Sequence, residues 1–281
     1  MVTWNEAEPP ALAPLTRAQR LRGGLRLVAV VSLTGAALAL FLSGKVLWRR
    51  ISRHITFQFW IARHWARAML WLMGVRLRMV GRPMKGGGLV AANHASWADI
   101  LALRACRTIN FVSKAEVRTW PYVGWIAAQC DTVFIERRRT ATRAQEALLR
   151  ERMAKGELLC IFPEGTSTDG RRVLSFKSAL LSVVYASDLR DGLRVQAATV
   201  NWTAPPGQPE TFYCWWGTMP FEGHIWDVLC RSAGGAVEVV FHAPVSARDV
   251  PDRKALARML EAQTRAAKCG LVEAQAIEPA G

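Results

Sequence analysis

The stretch Leu89–Asp99, with the sequence LVAANHASWAD, decides the fold of this chain. Its first four residues are apolar, follow three glycines and predict a buried strand. Ser96 is a good N-cap for a helix over Trp97–Cys106, which would carry Asp99 in its first turn. His94 would then lie in the turn at the carboxyl end of the strand, where the carboxylate of Asp99 can fold back onto its ring.

His94 and Asp99 together predict a general base. A carboxylate that holds an imidazole fixes its tautomer and stabilises the imidazolium that forms when the ring takes a proton. The alternative is a loop histidine whose hydrogen bonds are satisfied locally and which has no chemical role. The rest of the chain has to decide between the two.

The composition indicates one basic, apolar-rich domain with an appendage. A chain of 281 residues, of which 51% are hydrophobic, is long enough for one sizeable α/β domain and additional segments. The formal net charge of +15 predicts a surface that attracts anions, such as membrane headgroups, nucleic acid or an acidic protein. The six cysteines stand singly, which argues against a zinc site or a disulfide framework and favours a reducing cytosolic setting.

The N-terminal quarter predicts attachment to a membrane. Residues 1–24 are expected to form a disordered leader, and residues 25–77 to form membrane-associated helical segments. Leu25–Trp48 is long enough to cross a bilayer, and because arginines flank both of its ends the charge pattern leaves its orientation open. A cleaved signal peptide is the alternative, which the long acidic leader disfavours. Ile55–Leu77 mixes charges with aromatic residues, as in a helix that lies in the headgroup layer or packs on the globular domain.

Residues 78–270 are predicted to form an α/β domain, and residues 271–281 a loose tail. Short β-rich runs alternate there with helical patterns, which is typical of a mixed, largely parallel sheet flanked by helices. The predicted strands, the first of which starts just ahead of the domain, are Val75–Val80, Leu89–Ala92, Ile109–Val112, Thr132–Ile135, Leu158–Phe162, Val195–Val200 and Val237–Phe241. The predicted helices are Trp97–Cys106, Thr142–Ala154, Phe176–Ala186 and Ala255–Lys268.

A second polar turn follows the predicted strand Leu158–Phe162 and has the sequence PEGTSTDG. Ligands in open α/β sheets bind at the carboxyl ends of parallel strands, so Glu164 in this turn and His94 are expected to face one crevice. That convergence favours the catalytic interpretation of His94. The turn lacks the second glycine of a serine-hydrolase elbow, and the spacing of its acidic residues supports no metal site.

Two cationic positions also follow predicted strands. Lys114 comes after Ile109–Val112, and Arg137 comes after Thr132–Ile135. Cations just beyond strand ends can hold a phosphate or a carboxylate. The alternative is ordinary solvated charge.

At these residues the chain resembles the glycerolipid acyltransferases typified by bacterial 1-acyl-glycerol-3-phosphate acyltransferase. The resemblance consists of an Asn-His pair with an Asp five places after the His, an upstream lysine, an apolar pair before x-Arg, and a Phe-Pro-Glu-Gly-Thr block. The matching residues are Asn93, His94, Asp99, Lys114, Phe134–Arg137 and Phe162–Thr166. The order and rough spacing of the blocks agree across residues 89–200.

Two departures from the family pattern concern the acceptor. The family usually has Arg after Glu-Gly-Thr, where this chain has Ser167, and its fourth block carries a proline where this chain has Ala197. The run from Glu164 to Leu180 and the region around His224 look like the branch that acylates lyso-ornithine lipid. The resemblance therefore leaves lysophosphatidic acid and lyso-ornithine lipid open as acceptors.

The resemblance implies a membrane-bound O-acyltransferase that moves a fatty acyl group from an acyl thioester to the hydroxyl of a lysolipid. The thioester would be carried by acyl carrier protein or coenzyme A, and no metal or redox cofactor is required. His94 would remove the hydroxyl proton, Asp99 would orient the imidazole, and backbone N–H groups near Gly165 are candidates for stabilising the oxyanion. The implied substrate-binding residues are Asn93, Lys114, Arg137, Glu164, Gly165, Thr166 and Ser167.

The resemblance also implies a location at the cytoplasmic face of the inner membrane, where the basic surface would attract anionic lipids. A non-catalytic membrane-surface protein that binds anionic lipid through its arginines is the alternative, and it would keep its function in a His94→Ala variant. A nucleic-acid-binding protein is disfavoured, because that interpretation depends on charge alone and leaves the hydrophobic segments unexplained.

Overall fold

An eight-stranded sheet organises the part of the chain that the computed structural model describes, which comprises residues 4–51, 57–121, 123–135, 142–185 and 192–269. The strands are β1 Val75–Gly81, β2 Gly88–Ala92, β3 Asn110–Lys114, β4 Val133–Ile135, β5 Leu158–Ile161, β6 Arg194–Thr203, β7 Gly235–Phe241 and β8 Val245–Ser246. The helices are α1 Arg17–Ile51, α2 Phe57–Leu72, α3 Asp99–Cys106, α4 Val123–Gln129, α5 Thr142–Ala154, α6 Phe221–Arg231 and α7 Arg253–Ala266. Short 3₁₀ helices lie at Ala115–Thr119, Ser178–Tyr185 and Ala247–Asp249.

The sheet is mixed and largely parallel, which confirms the predicted fold class. Its strand order is β1-β7-β6-β2-β5-β3-β4, with β8 paired to β6. The strands from β6 to β4 in this order are parallel to one another, whereas β7 runs antiparallel to β6 and β1 pairs in parallel with β7. Because β2 and β5 are parallel neighbours, they end at the same edge of the sheet.

The central strand β2 is buried on both of its faces. Leu89 belongs to one apolar cluster, which includes residues of α7 and of the 3₁₀ helix Ser178–Tyr185. Val90 belongs to a second cluster on the other face, which includes residues of α2 and α3. A strand covered on both faces needs an unbroken apolar run instead of an alternating one, and this is what the sequence has at these positions.

Two helices of the α/β domain begin later than predicted. α3 begins at Asp99 instead of Trp97, because the backbone N–H of Ser96 donates to the Asp99 carboxylate at 2.9 Å and folds the preceding residues into a turn. The predicted helix Phe176–Ala186 is a 3₁₀ helix that starts later, since the backbone N–H of Phe176 donates to the carboxylate of Glu261 at 2.9 Å. The structure also contains α4, α6 and β8, which the sequence patterns do not predict.

The N-terminal segment 4–16 packs on the domain, which corrects the prediction of a disordered leader over residues 1–24. Trp4 is 5% exposed and its backbone N–H donates to the Thr166 hydroxyl at 3.2 Å. The Trp4 ring belongs to a small third apolar cluster whose other buried members are Ala95, Cys214 and Trp216. Burial of this indole offsets the entropy cost of ordering a proline-rich segment. The predicted tail, 271–281, lies outside the described residues.

α1 is long and apolar enough from Arg17 to Gly44 to cross a membrane, and 6% of its most apolar window is buried inside the protein. Its N-terminal half is nevertheless attached to the domain. The guanidinium of Arg26 donates to the backbone carbonyls of Leu229 and Ser232 at 3.0 and 2.6 Å, at the C-terminal end of α6. α2 ends at Leu72, earlier than predicted, because Gly74 turns the chain into β1 with a positive φ of 71°.

Candidate active site

The two polar turns singled out in the sequence lie side by side. β2 and β5 pair in register, with Ala91 opposite Ile161, and each strand then leads into its turn at the same edge of the sheet. The turns are joined directly, because the backbone N–H of Thr168 donates to the carbonyl of His94 at 3.0 Å. Parallel pairing of two buried strands therefore brings His94 and the Glu164 turn together.

His94 and Asp99 form the hydrogen-bonded pair that the sequence predicts. The His94 Nδ1 and Asp99 Oδ2 atoms are 2.8 Å apart. The imidazole side chain is 21% exposed, whereas the carboxylate is fully buried. Because a carboxylate accepts, Nδ1 carries the proton in this contact and the neutral ring has its lone pair on Nε2. This tautomer is the one that a general base requires.

Asp99 is held by more donors than the histidine alone. Its Oδ2 also accepts from the backbone N–H groups of Ala95 and Ser96 at 2.8 and 2.9 Å, and its Oδ1 accepts from the indole N–H of Trp202 at 2.7 Å. Trp202 reaches the site from β6, the neighbour of β2. Four donors fix the direction of the carboxylate and hence of the imidazole.

The ring of His94 is also fixed by stacking. Phe162, the residue after β5, lies parallel to it with ring centroids 4.0 Å apart and an interplanar angle of 16°. Phe111 from β3 continues the stack on Phe162 at 6.3 Å. Sequence reasoning missed Phe162 and Trp202 as site residues, although Phe162 stands in the Phe-Pro-Glu-Gly-Thr block and its position next to the turn could have indicated a packing role.

Glu164 braces the site instead of facing an open cleft. It is 1% exposed, and its two carboxyl oxygens accept from the backbone N–H groups of His94 at 2.7 Å and Leu174 at 2.8 Å. Burial raises the pKa of Glu164 to about 8, against the opposing effect of these two hydrogen bonds. In the structure the Glu164 carboxyl group is therefore engaged by the backbone of His94 and Leu174, and its contact with a bound acceptor stays a prediction.

Asn93 and Gly165 are likewise used for local structure. The side chain of Asn93 is 1% exposed and pairs with both backbone groups of Val200, accepting from its N–H at 2.7 Å and donating to its carbonyl at 3.1 Å. The backbone N–H of Gly165 donates to the carbonyl of Phe162 at 3.0 Å, and its φ of 74° closes the turn. The side chain of Asn93 thus has its partners in β6, and its predicted role in substrate binding stays a prediction, as does oxyanion stabilisation by backbone N–H groups near Gly165.

Thr166 and Ser167 are both buried, and Thr166 contacts the N-terminal segment. They are 9% and 7% exposed, and the hydroxyl of Thr166 accepts from the backbone N–H of Trp4. One predicted acceptor-binding position, Thr166, therefore contacts a part of the chain that was expected to be disordered. The wall of the site on this side is built by residues from both ends of the chain, since Trp216 packs on Trp4 with ring centroids 6.3 Å apart.

Of the two predicted cationic residues, Lys114 and Arg137, the structure describes only Lys114. Lys114 is the last residue of β3 and is half-buried at the edge of the sheet where β5 also ends. β4 ends at the same edge with Ile135. Arg137 lies outside the described residues. Within the described ranges, no group of three or more His, Cys, Asp or Glu side chains is placed to hold a metal ion.

A cleft of about 650 Å³ between the segment 9–15 and α6 lies apart from the His94 pair. It is lined in part by His224, whose Nδ1 accepts from the indole N–H of Trp97 at 2.9 Å and whose Nε2 contacts the carbonyl of Phe212 at 3.2 Å. Burial lowers the pKa of His224. This neutral, doubly bonded ring supports the loop packing and is not poised for proton transfer.

The chain is similar to known proteins over most of its length. A family model described as Acyltransferase matches residues 75–197. A lyso-ornithine lipid O-acyltransferase of Rhodobacter capsulatus is 43% identical over 263 residues, which cover 93% of this chain and 95% of that protein. A 1-acyl-sn-glycerol-3-phosphate acyltransferase of Neisseria gonorrhoeae is 31% identical over 66% of this chain and 72% of its own length.

A solved structure shares the fold. It is the 1-acyl-sn-glycerophosphate (LPA) acyltransferase of Thermotoga maritima, with a TM-score of 0.58, 19% identity, and coverage of 88% of this chain and 97% of that one. At this identity the likeness shows the fold alone.

Proposed function

This chain belongs to the acyltransferase family and is a lysolipid O-acyltransferase, and we propose that it moves a fatty acyl group from an acyl thioester to the hydroxyl of lyso-ornithine lipid at the cytoplasmic face of the inner membrane. The observation that carries the catalytic part is the His94–Asp99 pair, with 2.8 Å between Nδ1 and Oδ2 and a partly exposed imidazole. The pair lies at the strand edge where open α/β sheets bind ligands.

The proposed reaction needs a base but no protein nucleophile. Nε2 of His94 takes the proton of the acceptor hydroxyl while the hydroxyl oxygen attacks the thioester carbonyl. The tetrahedral intermediate collapses, the C–S bond breaks, and the imidazolium returns the proton to the departing thiolate sulfur. Asp99 stabilises the imidazolium in between and, with Phe162, keeps the ring in one orientation.

The preference for lyso-ornithine lipid is supported by relatives and by one residue. The Rhodobacter capsulatus protein named for this acceptor aligns over nearly the whole chain, and a protein of Pseudomonas aeruginosa with the same name is 32% identical over 75% of it. Ser167, 7% exposed, stands where an arginine for a phosphate would be expected. Lys114 and Arg137 are the proposed partners of the anionic headgroup.

The remaining parts of the proposal are the acyl donor and the attachment to a membrane. A net charge of +15 suits an acidic carrier protein or the phosphates of coenzyme A, as well as an anionic leaflet. α1 supports membrane attachment by its length and apolar surface. The chemistry requires no metal or redox cofactor, since the thioester is already activated.

The test is an assay of membranes that contain the overproduced chain, with one labelled acyl thioester and either lyso-ornithine lipid or lysophosphatidic acid. We expect label in the ornithine lipid and a loss of at least about a thousandfold in His94→Ala. His64→Ala, which alters an exposed histidine of α2, is the matched control and should retain activity. Product formed only from the phosphate acceptor would overturn the acceptor assignment, and full activity of His94→Ala would overturn the mechanism.

A further inference from the structure

Trp4 and Arg172 form a stacked pair on the wall of the site. The guanidinium carbon of Arg172 lies 4.8 Å from the centroid of the Trp4 ring. The Nη2 of Arg172 donates to Asp169 at 3.2 Å, and its side chain remains 21% exposed. The guanidinium is therefore oriented by a ring and a buried carboxylate, which leaves part of it accessible.

The pair contains two hydrogen-bond donors that no described residue satisfies. The indole N–H of Trp4 and the Nε–H of Arg172 are buried and lack an acceptor among the residues that the structure describes. Trp4 is 5% exposed, so it cannot turn this donor to bulk water. An unsatisfied buried donor is costly, and two of them in contacting side chains indicate that an oxygen acceptor belongs there.

This pair is connected to His94 through the Glu-Gly-Thr-Ser-Thr turn. Trp4 donates its backbone N–H to Thr166. The hydroxyl of Thr168 contacts the carbonyl of Arg172 at 3.5 Å, and the backbone N–H of Thr168 donates to the carbonyl of His94 at 3.0 Å. Trp4 and Arg172 thus each contact a residue of this turn, and Thr168 of the same turn is hydrogen-bonded to His94.

We propose that Trp4 and Arg172 form a specificity subsite that binds the oxyanion of the acceptor headgroup. This inference rests on the proposed function. The ligand chemistry is a carboxylate or a phosphate oxygen, which accepts from both N–H groups and pairs with the guanidinium. The positive charge missing at Ser167 is supplied five residues further along the same loop.

Glu6 lies beside the guanidinium of Arg172. Its carboxylate lies 3.8 Å from Nη1 of Arg172, beyond hydrogen-bond distance, and its side chain is 55% exposed. A carboxylate that is weakly held and of the same chemistry as the ligand competes with it. The acceptor oxyanion therefore competes with Glu6 for the charge of the Arg172 guanidinium while it accepts from the two donors.

The first test uses Trp4→Phe, which keeps an aromatic ring at this position and removes the indole N–H together with the five-membered ring that carries it. We expect KM for the acceptor to rise about tenfold and kcat to change less than about threefold, while the smaller ring leaves a cavity that lowers the melting temperature without affecting KM by itself. A merely structural tryptophan would give an unchanged KM, which would overturn the proposal.

Arg172→Gln and Arg171→Gln are the matched charge variants. Arg171 is 47% exposed and pairs with the 65% exposed Glu210, so its loss removes the same charge from the surface only. KM should rise about tenfold or more in Arg172→Gln and stay within about twofold in Arg171→Gln. An equal rise of KM in both variants would mean that the effect depends on net charge alone, and it would overturn the proposed subsite.

Glu6→Gln should change KM in the opposite direction. Because Glu6 is exposed, this variant stays informative if Arg172→Gln does not fold. We expect KM for the acceptor to fall severalfold, and an unchanged or raised KM would overturn the proposal. All variants are assayed in membranes with lyso-ornithine lipid and with lysophosphatidic acid, so that the acceptor whose KM responds identifies the oxyanion. An inactive wild-type chain would instead overturn the proposed function itself, whereas an active wild type with unresponsive variants would overturn this inference alone.

Discussion

Asp99 accepts from an imidazole, two backbone N–H groups and an indole, and every one of these contacts is 2.9 Å or shorter. A carboxylate with all of its donors inside the fold cannot rotate, and it transmits this fixed direction to the ring of His94. The same carboxylate also ends the turn before α3. The residue thus links the helix start to the chemistry, which explains why the two occur in one short stretch of sequence.

At the residue scale we predict a pH effect on stability from Glu164. Its pKa of about 8 in the folded chain lies above the ordinary value of 4.5, so between these values the unfolded chain releases a proton that the folded chain keeps. The free energy of unfolding contributed by this residue is therefore highest below pH 4.5 and falls as the pH rises to about 8.

Glu164→Gln cannot ionise and removes this dependence. Between pH 5 and pH 8 the wild type should therefore lose a few kcal/mol of unfolding free energy relative to the variant. Denaturant titrations in detergent at several pH values measure it. A difference that does not change with pH would show that the buried carboxyl has its ordinary ionisation.

The sequence identified His94, Asp99 and the Glu164 turn, because strand ends and residue types can be located along a chain. It did not identify the contacts of Asn93 with the backbone of Val200 and of Glu164 with the backbone of His94 and Leu174. A polar side chain at a strand end can point to the ligand or back to a neighbouring strand, and that direction depends on residues such as Val200 that are distant in the sequence. Side-chain contacts that hold the site together therefore could not be distinguished from contacts with substrate.

At the element scale the packing of α1 on α6 gives a prediction from two adjacent glycines. A Cβ on Gly23 would lie 2.2 Å from the sulfur of Cys230 and 3.2 Å from the ring of Trp226, whereas a Cβ on Gly24 would meet nothing within 4 Å. Gly23→Ala should therefore separate the helices and lower the unfolding free energy by about 1–3 kcal/mol. Gly24→Ala should stabilise by up to about 1 kcal/mol through helix propensity.

Thermal unfolding in detergent compares the two variants. Because both carry the same change at neighbouring positions of one helix, a difference between them reports contact with α6. Equal melting temperatures would mean that α1 does not rest on α6 in solution.

The strands were predicted closely, because β2 and β5 are buried on both faces and are read from their unbroken apolar runs. Less of the structure around these strands could be predicted from the sequence. The segment 4–16 has the composition of a disordered leader, but its Trp4 is buried against Trp216, and Trp216 and Arg231 donate to the carbonyls of Ala7 and Ala13, all contacts between residues that are distant in the sequence. α6 follows Pro220 and contains a glycine, so its pattern resembles a loop.

At the scale of the whole molecule we predict how the chain is attached to a membrane. Val28 and Val31 on α1 are 67% and 62% exposed. Their joint replacement by lysine puts two charges into the apolar span, at a cost of about 3 kcal/mol each on an insertion scale, and should move the chain from the pellet to the alkaline-wash supernatant. Leu148→Lys, at a 44% exposed position of α5, should leave the chain in the pellet. Retention of the double-lysine variant would show that α1 is not the anchor.

The pairing of β1 with β7 joins the beginning of the domain to its end, with Val75 opposite Gly235. On the ribosome, β1 leaves the exit tunnel about 160 residues before its partner, a delay on the order of ten seconds at ordinary translation rates. During that interval α1 has also not met α6. The N-terminal helices are thus complete well before the sheet is, and β1 joins the rest of the sheet only once β7 has been synthesised and can pair with both β1 and β6.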